Sequence, residues 1–451
     1  MSRTWRLALS ALLPALVAVG CSDWLTGNKL TNDPNNPTVA ARSNLLVGIE
    51  TGQTVLQTGD LARLFSMWMQ QMAGTDRQYV SLGVYTYDED AFSPDWTAIY
   101  AGGGLIDIRA LEQSALATGD TIYAGVAYVL EGFTMGTATG IWGDIPYSQA
   151  VSDSLKPKLD SQQTVYATVQ AKLDTAIAFL ACTSKTCVGP GSEDVWYGGG
   201  AQQWTALAHT LKARYYLDVS QRIPSAYDSA FAETTLGIAD TSGNLNSYQS
   251  DIPQEQNIWY QFIVKQRQGY ISAGKFLVDL MTASKDPRLA QYFQPITVSN
   301  ADTIVGAPPN TAGNFSSLNP ATRGAPGFRQ PMVTFAENQL IRAEAALRKS
   351  APDQAAADAA YNAERTSYGL PTATGVTLPT IINEKYVALF QNGIVVWNDY
   401  KRTCLPAITP FQRPIPERLL YPLSAERNAN PNVPPPAQQP ALNWANPTAC
   451  T

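Results

Sequence analysis

Histidine is all but missing: His209 is the only one in 451 residues. Zinc sites and Ser-His-Asp triads usually spend one or more histidines, so those chemistries have almost nothing to work with here. Charge is scarce as well. Asp, Glu, Lys and Arg make up 15% of the chain, the formal net charge is -6, and no basic block occurs. A phosphate backbone would meet no cationic track, which argues against nucleic acid as a partner. What is present is apolar and aromatic: 45% hydrophobic residues, with 21 Tyr and 10 Trp. A chain of this length and content can bury a large core, and length alone would allow two or three domains.

The N-terminus opens with Arg3 and Arg6 and continues as an apolar run over residues 7–19, interrupted by Pro14 and ending at Gly20-Cys21. It is too short for a stable membrane span and reads as an export signal, residues 1–20. The small residue before the cysteine resembles the lipobox of bacterial lipoproteins, in which cleavage leaves Cys21 for lipid attachment. An ordinary signal peptide with an incidental cysteine is the alternative. Residues 21–37, with Asn28, Asn32, Asp33-Pro34 and Asn36-Pro37, carry turn chemistry without periodicity and read as a flexible tether.

Helical spacing begins at residue 38, with Thr38 as N-cap and Leu45, Ile49, Leu61, Leu64, Trp68 and Met72 facing inward, and it predicts an interruption near Gly52 or Gly59. Residues 74–95 show no helical stripe and predict a long loop, which needs a reason. They hold Asp76, Arg77, Gln78 and Tyr79, then Tyr85, Tyr87 and Asp88. Aromatic rings can stack on the apolar face of a sugar while charged and amide groups bond its hydroxyls, so this is the leading candidate ligand surface. A loop that merely covers the core fits equally well.

Helices are predicted over residues 95–116, 121–139 and 161–180. Between the last two, residues 140–150 (Gly-Ile-Trp-Gly-Asp-Ile-Pro-Tyr-Ser-Gln-Ala) break the pattern at Gly140, Gly143 and Pro146. That stretch reads as a packed turn, with Trp142 and Tyr147 capping the core and Asp144 accepting backbone N–H bonds. Cys182 and Cys187 suit a small disulfide loop in an exported chain. Residues 202–221 form an amphipathic helix on Trp204, Ala208, Leu211, Tyr215 and Asp218, with His209 one position off the stripe, at the helix flank.

Residues 222–330 are rich in Ser, Asn, Gln, Gly and Pro and read as a loop-rich region with one short helix at 273–282. Trp259 and Tyr260 are a second pair of ligand candidates. Residues 332–349 and a run capped by Asp353 form a helical hairpin of about tetratricopeptide length. A last helix is expected over residues 381–391, with Gly393 after its end. Cys404 and Cys450 are left to bridge a loop of 46 residues.

Several separated stretches then agree with one family. The signal ending at Cys21, Trp142-Gly143-Asp144-Ile145-Pro146-Tyr147, residues 206–215, residues 334–346, and above all Lys385-Tyr-Val-Ala-Leu-Phe-Gln-Asn-Gly393 before Trp397-Asn-Asp-Tyr-Lys-Arg402 make the chain resemble the SusD/RagB-like outer-membrane nutrient-binding lipoproteins. The resemblance implies a mostly α fold, with tetratricopeptide-type helix pairs as scaffold and a loop-rich ligand-binding side, over residues 38–451 as a single domain. It implies non-catalytic binding of an oligosaccharide or peptide, and a SusC-like TonB-dependent transporter as partner in the outer membrane, on the cell exterior. No cofactor is expected; calcium would find Asp- and Asn-rich loops, but no EF-hand-like spacing supports it. Family ligands differ, so no contact motif transfers. Two other readings stay open: a secreted glycoside hydrolase using Asp76 and Asp88, and a helical scaffold that binds only protein.

Overall fold

The computed structural model describes residues 40–152 and 154–450, so Cys21, the tether and Thr38 lie outside the described residues. The chain divides into a unit ending at Asn44 and a compact unit from Leu45 onward, to which the elements of the site belong. Fifteen α-helices run through the described residues. The first nine are α1 (Arg42–Thr58), α2 (Asp60–Trp68), α3 (Gln78–Gly83), α4 (Ser93–Tyr100), α5 (Leu105–Ala117), α6 (Thr121–Trp142), α7 (Gln162–Leu180), α8 (Ala201–Asp218) and α9 (Ala226–Thr234). They are followed by α10 (Lys275–Ala283), α11 (Leu289–Tyr292), α12 (Phe335–Arg348), α13 (Gln354–Ser367), α14 (Leu378–Ala388) and α15 (Gly393–Thr403). Strands are short and pair antiparallel in twos: β1 (Met72–Gly74) with β5 (Ile271–Ala273), β2 (Ile145–Pro146) with β3 (Leu159–Asp160), β4 (Leu245–Asn246) with β8 (Pro331–Val333), and β6 (Ile296–Val298) with β7 (Ala301–Thr303).

The fold is mostly α, as the periodicity predicts. Helix α6 is buried on nearly every side, which its apolar composition allows and its glycines require. A Cβ added at Gly136 would stand 2.2 Å from the Tyr215 ring on α8, and one at Gly125 2.9 Å from Leu180 on α7. Helices α12 and α13 form the expected hairpin, with Leu340, Ala343, Ala357, Ala360 and Tyr361 packed between them. Asp353 caps α13 as expected, accepting from Ala356 N at 2.9 Å. Two carboxylates on α12 are buried and clamped. Glu337 takes Nε and Nη2 of Arg214 at 2.6 and 2.7 Å, and Glu344 pairs with Arg402 on α15, whose Nη2 also reaches Asp399 at 2.5 Å.

Four boundaries differ from expectation, each for a local reason. Helix α6 does not stop at Gly140 but runs to Trp142 and ends at Gly143, where φ is +78°. The 95–116 pattern is two helices, because Gly102 and Gly103 take φ of +64° and +93° and lie against α1, where a Cβ on Gly103 would be 2.6 Å from Gly48 O. Gly393 does not follow a helix; it starts α15, where a Cβ would collide with Ala62 O and Ser66 N of α2 at 2.4 Å. Residues 222–330 are less irregular than their composition suggests, since α9, α10, α11 and the β6–β7 hairpin all fall within them.

The 140–150 stretch is architectural. Trp142 and Tyr147 are buried, and the Asp144 carboxylate accepts from Gln162 N, the first residue of α7, at 2.8 Å. Asp144→Ala is expected to lower the melting temperature while leaving ligand affinity unchanged, as calorimetry and titration of the same sample would show. Both disulfides are formed, Cys182–Cys187 and Cys404–Cys450. Replacing Cys404 and Cys450 together with alanine opens a loop of 46 residues and should cost roughly 3 to 5 kcal/mol in denaturant unfolding.

Candidate functional site

Helix α2 presents Asp60, Arg63, Leu64 and Met67, one face at helical spacing, to a hollow of about 400 Å³. The opposite wall comes from the 74–95 stretch and includes Gln78, Tyr79, Tyr87, Asp88 and Phe92. This volume lies in the range of small-ligand sites. The stretch is not the continuous loop expected from its sequence. It begins in β1, folds into the short helix α3, and is pinned where Trp68 Nε1 donates to Leu82 O at 2.8 Å. Gly74 makes that turn possible, since a Cβ there would lie 1.8 Å from Tyr79 O.

Arg63 is the unusual group. Its side chain is 6% exposed and ion-paired with Asp60, and its guanidinium sits 4.5 Å from the Phe262 ring centre. Burial lowers its pKa to about 10, so it stays charged at neutral pH. Its Nη1 has no hydrogen-bond partner. A buried N–H left unmatched is a donor that a ligand oxygen or a water would satisfy. Nearby Asp95 is pushed up to about 6 by burial, with Arg63 pulling the other way.

The sequence candidates divide. Gln78, Tyr79, Tyr87 and Asp88 meet in the hollow. Tyr79 is half-buried, its ring 5.2 Å from Phe262 and 6.1 Å from Tyr270. Tyr87 packs 5.8 Å from Trp68, and burial raises its hydroxyl to about 12. Asp76 and Arg77 are exposed and pair with each other at 3.7 Å outside the hollow; the Arg77 guanidinium lies 5.8 Å from the Tyr270 ring. Tyr260 is half-buried and does not line the hollow, its N–H held by Asn257 Oδ1 at 3.0 Å.

Two candidates are overturned as ligand contacts. Tyr85 is 3% exposed, because a φ of +68° turns it into the core, where it meets Trp68 edge-on and its hydroxyl accepts from Phe411 N at 3.3 Å. Trp259 is 0% exposed, and its Nε1 donates to Thr58 O at 2.7 Å. The residues that sequence reasoning passed over are Arg63, Phe262 and Tyr270. Arg63 had a signal: a cation set into the apolar helix Leu61, Leu64, Phe65, Trp68. Phe262 and Tyr270 had none, since they stand behind Arg63 and Tyr79 only through tertiary packing of a distant segment. His209 bonds Glu233 at 2.6 Å, away from the hollow. Among the described residues, no group of three or more His, Cys, Asp or Glu is placed to hold a metal ion.

A helical scaffold carrying an open hollow with aromatic and polar walls is the architecture of a ligand-binding protein. The chain belongs to the SusD-like family, described as "Starch-binding associating with outer membrane", which matches residues 34–422. No curated protein matches the chain. Similar solved structures include a chitin-binding protein at 20% identity and TM-score 0.76, covering 90% of this chain and 100% of that one. A SusD/RagB family protein from Bacteroides thetaiotaomicron is 20% identical with a TM-score of 0.71, over 90% of this chain and 98% of its own. A chitin-binding SusD homologue from Flavobacterium johnsoniae is 20% identical with a TM-score of 0.69, over 90% and 97%.

Asp95 offers a test of the electrostatics beside Arg63. Its folded pKa of about 6 lies above the free value of 3.8. Ionised Asp95 therefore costs stability in full above the folded value, and the cost disappears below the unfolded one, where both states are protonated. Asp95→Asn should stabilise the protein at about pH 7.5, by on the order of 3 kcal/mol at most, and the gain should fall towards zero at about pH 3 in thermal unfolding.

Proposed function

We propose that the protein is a non-catalytic binder of a glycan, taken up in the hollow between α2 and the 74–95 stretch and passed to a SusC-like TonB-dependent transporter. In this reading Cys21 carries the lipid that anchors residues 38–451, acting as one domain, to the outer membrane, facing the cell exterior. No described helix is long and apolar enough to cross a membrane, which fits attachment by lipid. The observation that carries the reading is the joint placement of Tyr79 and Tyr87 with Asp60, Gln78 and Asp88 around one hollow. Rings supply stacking area at little entropic cost, and the polar groups bond hydroxyls around them. The family's starch-binding description and the chitin-binding relatives support a glycan over a peptide.

Binding without turnover suits the same groups. A glycosidase needs two carboxyl groups facing each other roughly 5 to 9.5 Å apart across the bond. Asp76 does not line the hollow, so Asp76 and Asp88 do not face each other across it. Delivery also demands release, for which moderate affinity from a few stacked rings is enough.

Isothermal titration with chitohexaose, maltohexaose and a mixed peptide pool tests the proposal. At least one glycan should bind without being cleaved, and Tyr79→Ala with Asp88→Ala should weaken it about tenfold or more, roughly 1.4 kcal/mol, at unchanged melting temperature. Wild-type stoichiometry together with wild-type affinity in that double variant, or binding of peptides alone, would sink the assignment.

A further inference from the structure

We propose a second saccharide-binding site in a separate hollow of about 440 Å³ between α1 and residues 248–261. It shares no lining residue with the first. Helix α1 supplies Val47, Glu50, Thr51, Thr54 and Val55, again a single face at helical spacing. Its two valines are not covered by protein, Val47 being 38% and Val55 51% exposed. Apolar groups left facing a concave, open space are a binding feature rather than core.

The remaining walls supply stacking and neutral hydrogen-bonding groups. Tyr248 is 40% exposed, and the Arg329 guanidinium lies 4.8 Å from its ring centre. Gln249, Gln254, Gln256 and Gln261 line the hollow, and each amide can both donate and accept. Gln256 Oε1 is buried with no hydrogen-bond partner. At the floor, Glu50 is 0% exposed and accepts from Val195 N at 2.9 Å. Burial and the adjacent Asp194 raise its pKa to about 10, so it carries no charge at neutral pH.

Those properties select the ligand class. An anion would meet Glu255 and no lysine in the lining. A cation would find a protonated floor and only Glu255, whose carboxylate already accepts from Ser250 Oγ at 2.5 Å. A hydroxyl-rich neutral ring fits best: its apolar face lies against Tyr248, and its hydroxyls donate to Gln256 Oε1 and exchange bonds with the other amides. The occupant is therefore a neutral saccharide unit, bound apart from the unit held beside Arg63.

The test uses the full mature chain with chitotriose and maltotriose in titration calorimetry. Wild type should take up two trisaccharides per chain, and the Tyr79→Ala, Asp88→Ala variant should keep one binding event. Adding Tyr248→Ala to that variant should abolish or weaken this event at least tenfold, whereas Tyr248→Phe should retain it. Unfolding temperatures close to wild type would confirm intact folds, as the exposure of Tyr248 leads one to expect. A single site lost with Tyr79 would leave the first hollow standing and overturn the second. Loss of all binding with Tyr248→Ala alone would do the reverse, and absence of saccharide binding in wild type would overturn both.

Discussion

Glu337 and Glu344 stand seven residues apart on one face of α12, buried completely, and each is held by an arginine from a different helix. Burial alone would lower the pKa of both arginines, but the facing carboxylates hold Arg214 and Arg402 above the usual guanidinium range. Removing one member of such a pair strands a charge in the core, typically at a cost of about 3 to 5 kcal/mol. Through these clamps α8 and α15 are set against α12. Helix α15 then carries α2, with Phe65 and Trp397 stacked 4.0 Å apart and Gly393 admitting the α2 backbone. The far end of α2 is tied to α14, where Tyr386 OH donates to Met69 O at 2.9 Å and Gln71 Nε2 to Tyr386 O at 2.7 Å. The wall of the candidate site therefore takes its position from charges that do not line the hollow.

The opposite wall is built differently. It is made of the short helix α3 and the segment leading to α4, and its rings are braced by other rings. Tyr79 leans on Phe262 and Tyr270, and Tyr87 on Trp68 and Phe92. Aromatics fixed in this way have already lost most of their rotational freedom, so less is lost again on binding. One wall is rigid through helix packing, the other through ring packing.

Much of this was legible in the sequence, and the failures have a common cause. Helical spacing finds α6, α7, α8 and the α12–α13 hairpin; Asp353 reads as a cap because it stands directly before a helical run, and Asp144 reads as an acceptor of backbone N–H groups from the glycine and proline turn around it, although its partner Gln162 N lies 18 residues on. Site residues were harder. Tyr85 and Tyr87 differ by two positions and look alike on the page, yet the positive φ at Tyr85 sends one into the core and leaves the other in the hollow. Trp259 reads as a ligand contact because it stands in an irregular, loop-rich stretch; its partner, Thr58 O, lies some two hundred residues away in sequence. Local pattern finds elements. Which aromatic faces outward depends on backbone conformation and on distant partners, and neither leaves a local trace.

The glycines of α6 carry a consequence for how such a chain can change over generations. Tyr215 occupies the space that any side chain at Gly136 would need, and it cannot swing aside because its hydroxyl is tied to Phe133 O at 3.1 Å. The spacing of α6 and α8 is thus fixed as if by a ruler, with no slack for compensation by a neighbouring rotamer. Inheritance is then partitioned: drift along this seam is blocked at the first step, whereas no residue lining either hollow lies on α6 or α8, so the linings can change without disturbing it. One frame can in that way outlast many changes of lining.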